Sequence, residues 1–222
     1  LANTGLNVPK ILEKNVAEGF LLVNDLGTKT YLAELNSESA DPLYKAATHA
    51  LVQMQLASKA AILPNYDEAL LQRELDFFPE WYLKKHLGTK LTDLQNSQIK
   101  QAFELIIQNN LAQAKVYVHR DYHSRNLMLT EENNPGVIDF QDAVYGPITY
   151  DASSLWRDAY IAWPEERVID WVIKFWEAGR KEGLPMPDDF GQFYRDFEWM
   201  GLQRHLKVLG IFARLFHRDD KD

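Results

Sequence analysis

Between Val116 and Phe140, three short β-favouring runs (Val116 to Val118, Asn126 to Leu129 and Val137 to Phe140) alternate with polar segments holding His, Arg, Asp and Asn. Short strands joined by charged loops mark a candidate site, because a rigid scaffold positions functional side chains on its loops. On either side of this stretch the apolar spacing is helical. Asp41-Pro42 supplies an N-cap and a first-turn proline, and Leu43, Ala47, Ala50, Leu51, Met54 and Ala57 form one stripe. Ile99, Ala102, Phe103, Ile106 and Ile107 place a second amphipathic helix over Ser97 to Leu111. Further helices are expected over Asp151 to Ile161, over Glu165 to Glu182 after Pro164, and over Asp188 to Phe216 with a break near Gly201. Trp156, Trp171, Trp176 and Trp199 on these helices read as core packing rather than a ligand cage.

The N-terminal segment differs. Val8 to Leu12 and Phe20 to Asn24 flank Glu18-Gly19 and read as two antiparallel strands. Two strands alone are marginal in water, so they are expected to belong to a larger sheet. The expected architecture is α+β, with residues 1–27 as a remnant β lobe ending in a hinge and residues 28–222 as a mostly helical lobe carrying the catalytic and metal loops.

With 222 residues, 46% of them hydrophobic, the chain can bury one large core or two modest ones. A net charge of -8 argues against a nucleic-acid partner, whose phosphates would call for Lys and Arg. The absence of cysteine excludes disulfides, thiolate metal sites and Cys nucleophiles, and it fits a cytoplasmic protein. No apolar run approaches the roughly 20 residues that cross a bilayer, and Leu1-Ala2-Asn3-Thr4 lacks the features of a signal peptide, so no membrane association is expected. Oligomeric state is not legible.

His119-Arg120-Asp121-Tyr122-His123-Ser124-Arg125-Asn126 fits H-R-D-x-x-x-x-N, the catalytic-loop pattern of kinases. In that pattern an Asp orients or accepts the proton of an attacking hydroxyl, and an Asn further on turns its amide oxygen to a metal ion. Asp139 follows thirteen positions after Asn126, on the apolar run Gly136 to Phe140, where a strand end presents a carboxylate beside the loop. Mg²⁺ takes oxygen ligands and keeps several waters, so one amide, one carboxylate and nucleotide phosphates suffice. Asp121 and Asp139 taken singly read more readily as turn caps or partners of Arg120 and Arg125; the ordered set of His-Arg-Asp, spaced Asn and strand-borne Asp is what points to phosphoryl transfer. Asp142 either assists the metal or closes a turn. His119 and His123 bracket a loop with no further zinc ligand pattern, and His119 is expected to brace that loop by hydrogen bonds.

Together with Gly146-Pro147 and Tyr150 to Leu155, these motifs resemble the aminoglycoside-phosphotransferase and choline-kinase superfamily, relatives of protein kinases, over nearly the whole chain. The resemblance implies a protein-kinase-like fold, ATP and Mg²⁺ as cofactors, and a small-molecule hydroxyl as acceptor. By the same resemblance Phe20 to Gly27 is the interlobe hinge, with backbone groups of Val23, Asn24 and Asp25 holding adenine. Asp121 is then the catalytic base, Asn126 and Asp139 the magnesium ligands, and Asp151 a buried structural carboxylate.

Arg73 to Tyr82 and Met200 to Leu215 more narrowly resemble the bacterial anomeric N-acetylmuramate/N-acetylglucosamine kinases of cell-wall recycling, which use ATP to phosphorylate an amino sugar at C1. On this basis Arg204, with Lys207 and Arg214, is expected near an acidic substrate's carboxylate, the competing reading being a solvated helix face. Trp81 and Glu74 are candidates to stack on and hydrogen-bond a sugar, with core packing and an ion pair as their alternatives. An aminoglycoside or choline-like acceptor is the second reading, and a two-carboxylate metal hydrolase a third.

A kinase also needs a glycine-rich loop and a lysine on its third strand, and neither precedes the hinge. The chain is therefore expected to be a piece of a longer kinase rather than a pseudokinase scaffold, and inactive as it stands. Arg218 to Asp222 reads as a polar connection to further structure.

Overall fold

The computed structural model describes residues 4–219, so the final three residues of the polar C-terminal connection, and the first three of the chain, lie outside the described residues. Strands β1 (Ile11–Asn15) and β2 (Phe20–Val23) form an antiparallel hairpin in which Ile11 faces Val23 and Asn15 faces Phe20. All nine residues of the pair are exposed. Leu6 and Val8, just before the hairpin, instead lie in the core, and Val8 was expected to open the first strand.

Helix α1 (Tyr31–Glu34) is capped by the Thr30 side chain, and α2 (Ala40–Leu56) buries Leu43, Ala47, Ala50, Leu51 and Met54 along the expected stripe. Asp41 does not cap α2. The cap position falls at Ser39, and Asp41 lies within the helix, where it accepts from Trp171 Nε1 (2.8 Å) and Arg167 (3.0 Å) on a later helix. Helix α3 (Glu68–Phe77), capped by Asp67, runs on into a π-helical stretch (Phe78–His86) that no sequence periodicity announced. Helix α4 (Asp93–Ala112) starts four residues before the expected Ser97, because Thr92 and Gln95 form a reciprocal capping box.

Strand β3 (Lys115–Val118) pairs antiparallel with β6 (Val144–Pro147), and β4 (Leu127–Met128) with β5 (Gly136–Val137). The last two are shorter than the runs that predicted them. Asp139 has φ 66° and Arg120 φ 77°, left-handed conformations that a strand cannot hold, so the chain leaves the ladder just where the charged residues begin.

Helix α5 (Tyr150–Trp156) stops well short of Ile161, since Asp158 turns back to the 119–126 loop. Helix α6 (Glu165–Glu182) has the expected bounds and ends on left-handed Gly183. Helix α7 (Phe190–Asp219) passes through Gly201 unbroken. Its Gly210 permits close approach to α3, because a Cβ there would collide with the Phe77 carbonyl. Trp156 and Trp171 are buried, and Trp176 and Trp199 pack against the core, which fits their expected packing role. No helix among the described residues is long and apolar enough to cross a membrane.

Candidate active site

The loop after β3 is held from below by Asp151, in the first turn of α5. Its two carboxylate oxygens accept from the backbone N–H of His119 (2.7 Å) and of Arg120 (3.0 Å). Complete burial pushes the Asp151 carboxyl up to about 7, with those two amides pulling the other way.

His119 ties the loop to the next strand pair. Its Nε2 lies 2.9 Å from the Ile138 carbonyl, and its Nδ1 accepts from the Asp121 backbone N–H at 3.3 Å. Burial lowers its pKa to about 4, so the ring is neutral at pH 7, and a carbonyl partner requires the proton on Nε2. One imidazole therefore sets Asp121 against the residue that precedes Asp139. Among the described residues no group of three or more His, Cys, Asp or Glu could hold a metal ion.

Asn126 closes the arrangement. Its Nδ2 donates to the Asp121 carbonyl (3.0 Å) and lies 3.4 Å from Asp139 Oδ2. Asp139 is exposed, and its other oxygen accepts from Gln141 Nε2 at 2.9 Å. With its nitrogen so engaged, Asn126 offers its amide oxygen beside an exposed carboxylate, the hard oxygen donors that suit Mg²⁺. Asp142 is exposed, and the turn before it is closed by the Ala143 N–H to the Phe140 carbonyl (3.2 Å).

Arg120 points away from this opening. It reaches Glu74 on α3 at 2.5 Å, and Lys207 on α7 approaches the same Glu74 oxygen at 3.1 Å. Tyr66 and Gln203 donate to the other Glu74 oxygen. Burial opposes ionisation of Glu74, but Lys207 and Arg120 outweigh it and hold the pKa down at about 2.

This arrangement corrects two expectations. Glu74 is 2% exposed and fully engaged by interior partners, so its ion-pair alternative describes it and its sugar-binding role does not. Arg204 and Lys207, at 4% and 7%, form neither a solvated face nor an acceptor clamp. Arg204 donates to the Ser153 carbonyl (3.2 Å), and Lys207 to the Tyr150 hydroxyl (2.9 Å). Both stems lie on the inward side of α7, where a cation persists only with interior acceptors.

Asp158 was not singled out by any motif. It accepts from the Ser124 backbone N–H (2.9 Å) and hydroxyl (2.5 Å), and its other oxygen accepts from the Tyr160 N–H (3.0 Å). One carboxylate thus fixes the 119–126 loop against the Tyr160 turn, with the Arg125 guanidinium 4.9 Å above the Tyr160 ring. Beside them opens a chamber of about 740 Å³, lined by Tyr82, His86, Arg125, Tyr160, Phe212 and Phe216 among others. Trp81 is half-buried, and its neighbour Tyr82 faces the chamber. The Phe20 to Gly27 segment, expected to be a hinge, is largely exposed, and the Asn24 N–H is engaged by the Lys10 carbonyl at 3.1 Å.

Residues 1–189 match the family model described as the phosphotransferase enzyme family. The chain belongs to that family. Two relatives of the chain are named N-acetylmuramate/N-acetylglucosamine kinase. The protein from Neisseria meningitidis is 51% identical over 98% of this chain and 66% of its own length, and that from Pseudomonas aeruginosa 48% identical over 100% and 65%. The chain thus spans just under two-thirds of the length of the curated relatives it matches. Among solved structures it resembles an ADP-bound aminoglycoside phosphotransferase (TM-score 0.62, 17% identity, 98% of this chain and 71% of that one). It also resembles an ethanolamine kinase from Plasmodium vivax (TM-score 0.65, 13% identity, 98% and 65%). At such identities these two establish the protein-kinase-like fold and no more.

Proposed function

We propose that the chain carries the catalytic half of an ATP-dependent, cytoplasmic small-molecule kinase whose acceptor is the anomeric hydroxyl of N-acetylmuramate or N-acetylglucosamine. One observation supports the phosphoryl-transfer part: Asn126 Nδ2 contacts the Asp121 backbone carbonyl and Asp139 Oδ2, which brings the loop bearing the candidate base beside the candidate metal ligands. The names of the relatives at 48% and 51% identity support the sugar acceptor.

In this reading residues 1–27 contribute two strands and a hinge, with adenine on the backbone of Val23 to Asp25, and residues 28–222 form the lobe that performs the chemistry. Asp121 takes the proton of the acceptor hydroxyl. The acceptor oxygen bonds to the γ-phosphorus as the bond to the β-phosphate bridge breaks, and ADP leaves with that electron pair. Asn126 Oδ1 and the Asp139 carboxylate would hold Mg²⁺, which supplies charge neutralisation for the nucleotide phosphates. His119 and Asp151 keep Asp121 oriented, and positioning carries much of the rate because the transition state is loose.

The test is transfer of labelled γ-phosphate from ATP by the full-length protein to amino sugars, aminoglycosides and choline in parallel. Transfer to amino sugars, lowered roughly 10²- to 10⁴-fold by Asp121→Ala, is the expected result. Wild-type rates in that variant, or transfer to aminoglycosides alone, would refute it.

A further inference from the structure

The chamber beside the catalytic loop has an unusual balance of groups. Tyr160, Phe212 and Phe216 keep 39%, 42% and 49% of their surface exposed, although they are large apolar rings. Tyr82 stacks on His86 (5.7 Å, 16°), and Tyr160 packs against Phe212 (6.1 Å), so the walls are ordered ring faces. Such faces suit the C–H surface of a pyranose ring. None of the residues that line the chamber is acidic. Its one permanent charge is Arg125, which has no carboxylate partner among the described residues even though the protein as a whole carries -8.

Arg125 is exposed, and the backbone and ring beneath it are held in place. Asp158 clamps Ser124 on one side and the Tyr160 turn on the other, and the guanidinium rests on the Tyr160 ring. A stacked guanidinium keeps the N–H groups along its edge for a planar, two-oxygen acceptor. It lies one residue before Asn126 and four after Asp121 in the chain, so the loop that carries those two residues also supplies a wall of the chamber. A polycationic acceptor would meet repulsion there and find no carboxylate in the lining.

We propose that Arg125 is a specificity-determining residue that binds a carboxylate on the acceptor, so that the chamber selects a carboxylated amino sugar over its neutral counterpart. This assignment rests on the amino-sugar reading above. It takes over the role that the sequence had suggested for Arg204, which is turned inward.

The measurement is kcat/KM of the full-length protein for N-acetylmuramate and N-acetylglucosamine, in wild type, Arg125→Ala, Arg125→Gln and Arg125→Lys, with the KM of ATP followed alongside. In Arg125→Ala the ratio of the two kcat/KM values should fall roughly ten- to a hundredfold against the carboxylated sugar, as expected for losing a charge-assisted hydrogen bond. The fall should lie mainly in the N-acetylmuramate KM. Arg125→Lys should recover part of it, and Arg125→Gln should not, which keeps the test decisive if the Ala variant fails to fold. Equal losses on both sugars, or a change centred on the KM of ATP, would overturn the proposal and make Arg125 a phosphate-side residue. A wild-type protein that phosphorylates neither sugar would remove the amino-sugar reading itself, and the proposal with it.

Discussion

Replacing Glu74 by Gln removes one charge while nearly preserving shape, and it tests whether the ion cluster behind the catalytic loop holds the fold together. Glu74 is buried between Arg120 at 2.5 Å and Lys207 at 3.1 Å. Removing one partner from a buried ion pair leaves an uncompensated charge and costs about 3–5 kcal/mol. Titration supplies a second route to the same quantity. The Glu74 pKa is lowered from 4.5 to about 2, which corresponds to about 3 kcal/mol of stability at neutral pH.

Because the folded-state pKa is the lower one, this stability is present above the unfolded pKa and is lost as pH falls through the folded pKa. About 2 kcal/mol of it should be gone by pH 3. Asp151 shifts in the opposite direction, toward about 7, so only the difference between wild type and variant isolates Glu74. The assay is urea unfolding of both proteins at pH 7, 5 and 3. The expected difference is about 3 kcal/mol at pH 7, shrinking to about 1 kcal/mol at pH 3. A difference below about 1 kcal/mol at pH 7, or one that does not change with pH, would show that the cluster carries no net pairing energy.

Asp139→Ala should abolish the Mg²⁺-dependent part of ATP stabilisation in a thermal-shift titration of the full-length protein, because it removes the carboxylate beside Asn126. Retained stabilisation would reassign the metal ligand. Gly210→Ala should destabilise by about 1–3 kcal/mol, since the added methyl meets the Phe77 carbonyl where α7 crosses the end of α3. Circular dichroism melting against a Gly201→Ala control, where the nearest atom is Arg157 Cγ at 3.7 Å, checks it; equal melting temperatures would exclude the close approach.

Much of the helical framework was legible, because burial of an apolar stripe imposes a 3.6-residue period that survives in the sequence of α2, α4 and α6. Strand β6 was not. Val144-Tyr145-Gly146-Pro147 holds a Gly-Pro pair that strand propensity disfavours, and it becomes a strand where β3 supplies the opposite edge. The left-handed residues Arg120 and Asp139 are equally silent in sequence, and they end the neighbouring runs earlier than β propensity suggests.

The catalytic loop was legible for another reason. Phosphoryl transfer requires a base, an amide and a carboxylate within a few ångströms, and a single loop followed by one strand can supply them at fixed local spacing. His119 to Asn126 and Asp139 could therefore be proposed from the sequence alone, and in the structure Asn126 Nδ2 contacts the Asp121 backbone carbonyl and Asp139 Oδ2. What holds that loop is not local. Glu74 meets Arg120 across 46 positions and Asp158 meets Ser124 across 34. A cation on an amphipathic helix reads the same whether it faces solvent, substrate or core, so only the packing of α7 against α3 and α5 decided that Arg204 and Lys207 turn inward and that Arg125 faces the chamber.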